Sequence, residues 1–556
     1  MSGRRITTVL LVTAVAWLAF EGAATAAPDQ LTYRGCFAND DGVSGCTALP
    51  GAPLSSASGV AVSPDGGSVY VASYGSHSIT RFARSGGELT FQACLANDGP
   101  AVGCDDLSYD SLNSARDVAV SPDGKSVYVV SSSSDTLAHF FVTGGKLAYD
   151  GCLGDTADYN CGDLPGLPID SASGVTVSPD GKSVYVASAG SSSIAHFFRS
   201  GPDGQVVYDG CLGSTGVQGC GDLNGTPLNG ATGVAVSPDG TSIYVASPSS
   251  NSITGFQRTA AEGQIGFGSC LASPYILGCD TLYSARLGGT KDVLVSRDGT
   301  SVYVAVPEAG AVIHFHRSGV DGKLEFGECY SAFERPLDYC LDLPGAPTIG
   351  ASGLAMSPDG GSLYVTGATG ESVAWFSRAA AGGKLSYEGC VSDEDTLGQG
   401  CVDLPGRPLR GAQSVAMSPD GRSVYVASEI SSSVARFDRA LVDEPGPGPG
   451  DTPTGSGGQG DAPAAATCAG KRATIVGTNR ADRLRGTRGG DVIAALGGDD
   501  RVAALGGDDV VCGGRGRDTL RGGRGRDRLA GGPQRDACIG GAARDRARTC
   551  EITKSL

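Results

Sequence analysis

From residue 31 to about 441 the chain alternates short β-type runs with clusters of turn residues, and the alternation repeats. One unit, residues 58–94, reads SGVAVSPDGGSVYVASYGSHSITRFARSGGELTFQAC. GVAVS and SVYVAS are β-branched runs of strand length, SITRFAR is a third, and LTFQAC is a fourth that ends on a cysteine. Between the first two stands Ser63-Pro-Asp-Gly66. Proline fixes φ at the first corner, aspartate favours the second, and glycine accepts a left-handed exit, which predicts a tight hairpin turn. The tetrapeptide returns at 121, 178, 237, 296 (as Ser296-Arg-Asp-Gly299), 357 and 418, at intervals of 58, 57, 59, 59, 61 and 61 residues. Four antiparallel strands at this period predict a propeller blade.

Counting strands predicts how the ring closes. Seven copies of the first three strands occur, the last at 414–418, 423–428 and 433–439, and no fourth strand follows it. Leu31-Thr-Tyr-Arg-Gly-Cys36 matches LTFQAC at 89–94 but has no triad before it. The N-terminal strand is therefore expected to complete the seventh blade, which removes the exposed sheet edges.

The run S-P-D-G-x-S-V-Y-V-A-S resembles the YVTN-type repeat of surface proteins and the seven-bladed propellers grouped with 6-phosphogluconolactonase. The resemblance spans residues 31 to about 441 and implies the ring. Activity does not follow from it, since such propellers serve enzymes and binding scaffolds alike.

Beyond the propeller, 442–467 is a Pro/Gly-rich linker unable to bury a core. A nine-residue frame then runs for eight turns from Gly477 to Arg548, within a C-terminal segment spanning 468–556. Its sixth place holds Asp482, Asp491, Asp500, Asp509, Asp518, Asp527, Asp536 and Asp545, and its eighth is mostly apolar. GGRGRDTLR at 513–521 and GGRGRDRLA at 522–530 match G-G-x-G-x-D-x-U-x throughout. This resembles the RTX, or haemolysin-type, calcium-binding parallel β-roll. The resemblance implies that turn carbonyls and sixth-place carboxylates hold calcium, a hard cation that takes oxygen ligands. Asp491, Asp500, Asp509, Asp518 and Asp527 are the expected ligands. Arg480, Gln534 and Ala543 replace the fourth-place glycine in the first and last two turns, which therefore read as caps. Arg517, Arg526, Arg535 and Arg544 precede the aspartate, placed to pair with it and compete with the ion. The expected fold class is all-β: a seven-bladed β-propeller, 29–441, closed by an N-terminal strand, plus a C-terminal parallel β-roll.

Composition places the chain outside the cell. Arg4 and Arg5 precede an apolar run over 6–20, and Ala24-Thr25-Ala26 follows as a small-x-small cleavage site. Residues 1–26 read as a secretory signal peptide, because the run is short for a bilayer span. No later stretch is apolar enough to cross a membrane. Fourteen of the 18 cysteines form local pairs: Cys36 with Cys46, Cys94 with Cys104, Cys152 with Cys161, Cys211 with Cys220, Cys270 with Cys279, Cys329 with Cys340 and Cys390 with Cys401. Regular spacing in an exported chain predicts disulfides, whereas zinc sites want closer ligands. A loop of about ten residues gives roughly 2.7 kcal/mol per bridge on the chain-entropy model. Cys468, Cys512, Cys538 and Cys550 can pair in three ways.

Candidate chemistry on the propeller is thin. The loops joining fourth strands to the next first strands carry the cysteine pairs and mark the functional face. Asp106, Asp163, Asp222, Asp342 and Asp403 recur there, joined by Asp40-Asp41 and Asp393-Glu394-Asp395. They form either a cation-binding rim or local turn caps. His139, His196 and His314 share one repeat position on third strands, on the order of 15 Å apart, and read as packing residues. Where most blades start with small residues, two start with Arg116-Asp117 and Lys291-Asp292. First strands line the channel, so these four charges are a candidate polar site at its mouth. No nucleophile elbow, HExxH or Walker loop occurs, so no catalytic residue is assigned.

Charge divides the chain. Residues 468–556 carry 18 Lys+Arg against 11 Asp+Glu, a net of +7, so the rest holds −24 of the total −17. The expected protein is a secreted or cell-surface calcium-binding propeller acting as a binding or adhesion scaffold. The alternative is an extracellular lactonase-like or other hydrolase using the disulfide-loop face. An anionic cell-wall polymer or another surface protein is the expected partner, nucleic acid is not, and the chain is expected to be a monomer.

Overall fold

The computed structural model describes residues 30–39, 43–97, 103–107, 110–156, 160–201, 204–259, 263–333, 340–393, 400–440, 467–469, 471–473, 475–476, 483–485, 490–496, 498, 500–504, 507–541 and 544–554. The signal peptide, the linker up to residue 466, Asp40-Asp41, Glu394-Asp395 and Asp482 lie outside the described residues. Two compact units divide the chain, Met1–Val442 and Asp443–Leu556. Among the described residues no helix is long and apolar enough to cross a membrane.

The first unit is a ring of seven antiparallel blades. In the first blade Ala57–Val62, Ser68–Ser73, Ser78–Ser85 and Glu88–Ala96 follow in order from the axis outward. In the seventh, Ala412–Met417, Ser423–Ser428 and Ser433–Arg439 are joined by the N-terminal strand Leu31–Asn39. Leu31 lies opposite Arg439 and Ala38 opposite Ser433. The ring closes as the strand count requires.

Each blade also has a fifth strand that the alternation of residues does not announce. In blade one Asp105–Asp106 pairs parallel with the end of the fourth strand, through Leu95 and Ala96. The loop disulfides create it. The bonded pairs are Cys36–Cys46, Cys94–Cys104, Cys152–Cys161, Cys211–Cys220, Cys270–Cys279, Cys329–Cys340 and Cys390–Cys401.

Their placement corrects the sequence reading in two respects. The fourth strand does not end on the first cysteine but runs two or three residues beyond it in every blade. The second cysteine is not a mid-loop residue either. Cys46, Cys104, Cys161, Cys220, Cys279, Cys340 and Cys401 each stand immediately before a fifth strand. The bridge thus clamps the returning chain beside the strand it has just left, at a Cα–Cα distance of 4.5 to 4.9 Å. That is close to the spacing of hydrogen-bonded strands, so the short parallel pairing follows from the covalent link.

The leucine just after Asp106, Asp163 and Asp222 is buried in every case: Leu107, Leu164 and Leu223. Neighbouring loops then touch. A Cβ on Gly225 would sit 2.1 Å from the Leu277 carbonyl, and one on Gly406 1.6 Å from that of Ser44, so only glycine fits these left-handed positions (φ 89° and 82°).

The S-P-D-G turn does more than reverse the chain. Ser63 Oγ accepts from Ser68 N (2.9 Å) and donates to Asp65 Oδ1, which accepts from Gly67 N (2.8 Å). At six of the seven junctions the same aspartate is gripped by an arginine ending the third strand of the next blade. Arg258, for example, reaches both Asp180 oxygens at 2.9 and 3.0 Å and the Tyr185 hydroxyl at 2.7 Å. Burial pushes such carboxyls up, but the serine and arginine outweigh it and hold Asp123 and Asp298 down to about 2. The seventh junction has Val142 in place of the arginine, and there the buried Tyr70 hydroxyl has no hydrogen-bond partner.

The second unit is a two-sided parallel roll. Alternate nine-residue turns feed opposite sheets, so the coil repeats every 18 residues: Val492 pairs with Val510, Val510 with Arg528 and Arg528 with Arg546. The eighth-place residues Ile493, Val502, Val511, Leu520, Leu529 and Cys538 fill the thin interior. Of the three pairings open to the last four cysteines, the fold selects Cys468–Cys512 and Cys538–Cys550.

Candidate metal centre and the propeller face

Among the described residues the sixth-place aspartates of the roll stand just before strands, and their two oxygens have different surroundings. One oxygen binds along the stack: Asp509 Oδ1 accepts from Asp491 N (2.7 Å), Asp527 Oδ1 from Asp509 N (3.0 Å) and Asp545 Oδ1 from Asp527 N (2.9 Å). Asp518 Oδ1 does the same for Asp500 N (2.8 Å) on the other edge. The second oxygen turns inward. Oδ2 of Asp509, Asp527 and Asp545 is buried with no hydrogen-bond partner. A Cβ on the first glycine of the turn would strike it, at 2.3 Å for Gly513 against Asp518 and 2.1 Å for Gly522 against Asp527.

Carbonyl oxygens crowd the same turns. A Cβ on Gly513 would lie 2.7 Å from the Gly531 oxygen as well as 2.3 Å from Asp518 Oδ2, and one on Gly531 would lie 2.4 Å from the Thr549 oxygen and 2.5 Å from Asp536 Oδ2. Among the described residues no three acidic, His or Cys side chains form a metal-binding group, so a cation held here takes backbone oxygens as well. Buried carboxylate oxygens beside turn carbonyls are a hard-oxygen donor set of the kind calcium takes. Burial, reinforced by Asp527, Asp491 and Asp508, pushes Asp509 up to about 6, which marks a column short of positive charge. When bound, calcium supplies that charge.

All five expected ligands are buried within this stack: Asp491 at 8% exposure, and Asp500, Asp509, Asp518 and Asp527 at 1–2%. Two sequence expectations change. Asp536 and Asp545, assigned to caps, hold the same bonded place as the central residues. Arg526 and Arg544 do not compete for the carboxylates: both side chains are exposed while Asp527 and Asp545 face inward.

At the propeller's channel the four candidate charges separate into two pairs with different roles. Asp117 Oδ2 accepts from Val175 N of the next blade (3.0 Å), and Asp292 Oδ2 from Leu354 N (2.9 Å). Ser414 Oγ accepts in the same way from Val60 N (3.3 Å). These side chains lie sideways as inter-blade staples. The preceding blades carry Gly59 and Gly233, where a Cβ would come within 2.9 and 2.8 Å of the Asp117 and Asp292 Cα atoms. Burial raises the staples' pKa values, Asp117 to about 6 and Asp292 to about 7.

The cations go elsewhere. Arg116 stacks over Tyr74, 4.1 Å from the ring centroid, and donates to Ser132 Oγ (3.3 Å). Lys291 Nζ donates to Gln413 Oε1, and Gln413 Nε2 to Glu429 Oε2 (2.7 Å). Burial depresses the Lys291 pKa; Glu429 and Asp292 oppose this, and Arg116 adds to it. Gln413 and Glu429 escaped sequence reasoning, although Gln413 fills the place of Arg116 and Lys291 in the seventh blade.

The three repeat-position histidines are structural. His139, His196 and His314 stack on Tyr128, Tyr185 and Tyr303 at 5.0, 5.0 and 5.1 Å. His77 Nδ1 accepts from Ser114 N (2.8 Å), tying one loop to the next. The repeated loop aspartates are exposed on the fifth strands; Asp222 caps its loop by accepting from Gly216 N (3.2 Å). The cysteines of these loops are all bridged, so they shape the face and offer it no thiol.

No curated protein matches this chain. Among solved structures it is similar to Kuenenia stuttgartiensis hydrazine synthase (19% identity, 71% of this chain and 97% of that one, TM-score 0.44). It is also similar to a putative 6-phosphogluconolactonase from Bacteroides uniformis (18%, 65% and 89%, 0.43) and the periplasmic gluconolactonase of Pseudomonas aeruginosa (18%, 66% and 88%, 0.43). The ring is established by this chain's own strand order rather than by likeness at that level. Residues 476–511 and 513–547 match the family model of the RTX calcium-binding nonapeptide repeat in four copies, so the second unit is an RTX repeat array following a seven-bladed β-propeller.

Proposed function

We propose that the protein is a secreted or cell-surface scaffold whose calcium-loaded roll serves adhesion and whose propeller displays a ligand-binding face. The observation carrying this reading is the stack of inward Oδ2 atoms beside turn carbonyls. Nine disulfides support an oxidising location. Asp491, Asp500, Asp509, Asp518 and Asp527 are the ligands we assign, with calcium as the ion. The test is calorimetric titration of the full oxidised chain with calcium chloride, alongside far-UV circular dichroism. Saturable heat with a gain of β-signal is expected; no heat and no spectral change would remove the calcium role. Expression with the native N-terminus in a secreting host tests export, for which a mature chain starting at Ala27 is expected.

A second reading, a ligand site at the channel mouth, is favoured by Arg116 and Lys291, the two cations freed from their neighbouring aspartates. It suits a small anionic ligand. If Arg116→Ala with Lys291→Ala leaves binding of every identified small ligand unchanged, that site does not exist.

A further inference from the structure

Between residues 513 and 548 the roll contains ten arginines, no lysine, four aspartates and no glutamate. All ten arginines are exposed, whereas Asp518, Asp527, Asp536 and Asp545 are 2, 1, 0 and 8% exposed. The charge on the outer surface of this half is therefore wholly cationic. The preceding stretch, 486–512, has two arginines against five aspartates, so positive charge is concentrated on one half of the roll.

Strand register turns these arginines into a lattice. Arg528 lies directly opposite Arg546 in one parallel sheet, a spacing of about 4.8 Å. Arg524 and Arg526 belong to the turn that leads into Arg528, and Arg544 to the turn that leads into Arg546. Arg548 ends that second strand. Six guanidinium groups thus occupy two successive coils of one edge. None of the six makes an ion pair among the described residues.

We propose that this edge binds a linear polyol-phosphate polymer by charge and by guanidinium–phosphate forks. Closely spaced like charges repel each other, and a regular polyanion relieves the repulsion along its whole length. The exclusive use of arginine suits phosphate, because the planar guanidinium donates two parallel hydrogen bonds to an oxyanion where lysine offers a point charge. Residues 468–556 contain no Phe, Tyr, Trp or His, so the roll has no aromatic platform on which a nucleic-acid base or a sugar ring could stack. The proposal rests on the calcium reading, since the lattice needs the buried carboxylates beneath it neutralised to hold its coil.

The test uses the full oxidised chain with calcium and immobilised poly(glycerol phosphate). Poly(glutamate) and a single-stranded oligonucleotide are parallel probes. Binding to the phosphate polymer that weakens steeply with salt is expected. Replacing Arg524, Arg526, Arg544 and Arg546 with Gln should reduce affinity on the order of five- to tenfold per arginine, with calcium-dependent circular dichroism unchanged. The same four changes to Lys keep the charge and should still lose several-fold if the fork matters.

Absence of polymer binding overturns the proposal. A calcium-induced gain of structure in that same sample would show that the fault lies with the lattice, and its absence would show that the calcium reading fails too. Equal binding of poly(glutamate), or tighter binding of the oligonucleotide, overturns the phosphate assignment. A salt-sensitive dimer in polymer-free buffer, abolished by the Gln changes, would assign the surface to the acidic propeller of a second copy and also overturn it.

Discussion

The propeller and the roll both set aspartates in repeated turns, and they satisfy the charge in opposite ways. In the propeller every turn aspartate has a serine, and at six junctions an arginine from the next blade, within hydrogen-bond reach. In the roll, aspartates stack on aspartates at 18-residue intervals, with an oxygen of Asp509, Asp527 and Asp545 left without a hydrogen bond. The first arrangement satisfies its own charge. The second leaves its carboxylates short of positive charge, so folding of the roll is expected to depend on calcium and folding of the ring is expected not to.

The sharpest way to break this comparison is to open the ring. Deleting residues 27–36 removes most of the nine-residue strand that completes the seventh blade, and the cooperative melt of the propeller should collapse while the calcium response of the roll survives. An unchanged melt would contradict ring closure. Next in size, Asp509→Asn with Asp527→Asn should weaken calcium binding by roughly tenfold or more, because ligand charge sets affinity in such sites. The propeller melt should not move, and a shift in it would show that the two units are not independent in stability.

Arg258→Met tests the propeller's side of the contrast. It strips charged hydrogen bonds from Asp180 and Tyr185 and should cost about 2 kcal/mol in chemical denaturation. A null result would mean that the clasps are ornamental and that the strands alone hold the ring.

The smallest effect concerns pH. Turn carboxyls held down to about 2 contribute stability above their unfolded pKa near 4, which is lost as pH falls through about 2. Burial raises Asp117 to about 6 and Asp155, Asp292 and Asp393 to about 7, so their contribution is complete below about 4 and fades as pH rises through 6 to 7. Propeller melting should therefore peak between about 4 and 6. Asn39 and Asn97 accept from Leu54 N and Leu112 N where Asp155 accepts from Ile169 N. Asp155→Asn should accordingly raise stability near pH 8 by on the order of 1 kcal/mol; a loss there would refute the burial argument.

What the sequence made legible follows from local chemistry. The β-branched runs, the proline and glycine corners and the cysteine spacing each act within a few residues, so strands, turns and loop disulfides could all be read. The nine-residue frame likewise exposed the roll. The fifth strands could not be foreseen: Asp105–Asp106 has no strand propensity and pairs only because the Cys94–Cys104 bridge and Leu107 hold it there. The arginine clasps were equally hidden, since Arg258 and Asp180 are 78 residues apart and meet only when blades pack. Arg116-Asp117 stood out as unusual, but its split between a cation over Tyr74 and a staple to Val175 depends on the neighbouring blades.

Hydrogen–deuterium exchange on the full oxidised chain, with and without calcium, tests the central claim most directly. Amide protection should rise across 490–541, where Asp491, Asp500, Asp509, Asp518 and Asp527 carry the stack, and stay constant in all seven blades. Protection that is already complete without calcium, or that changes only in the propeller loops, would contradict it.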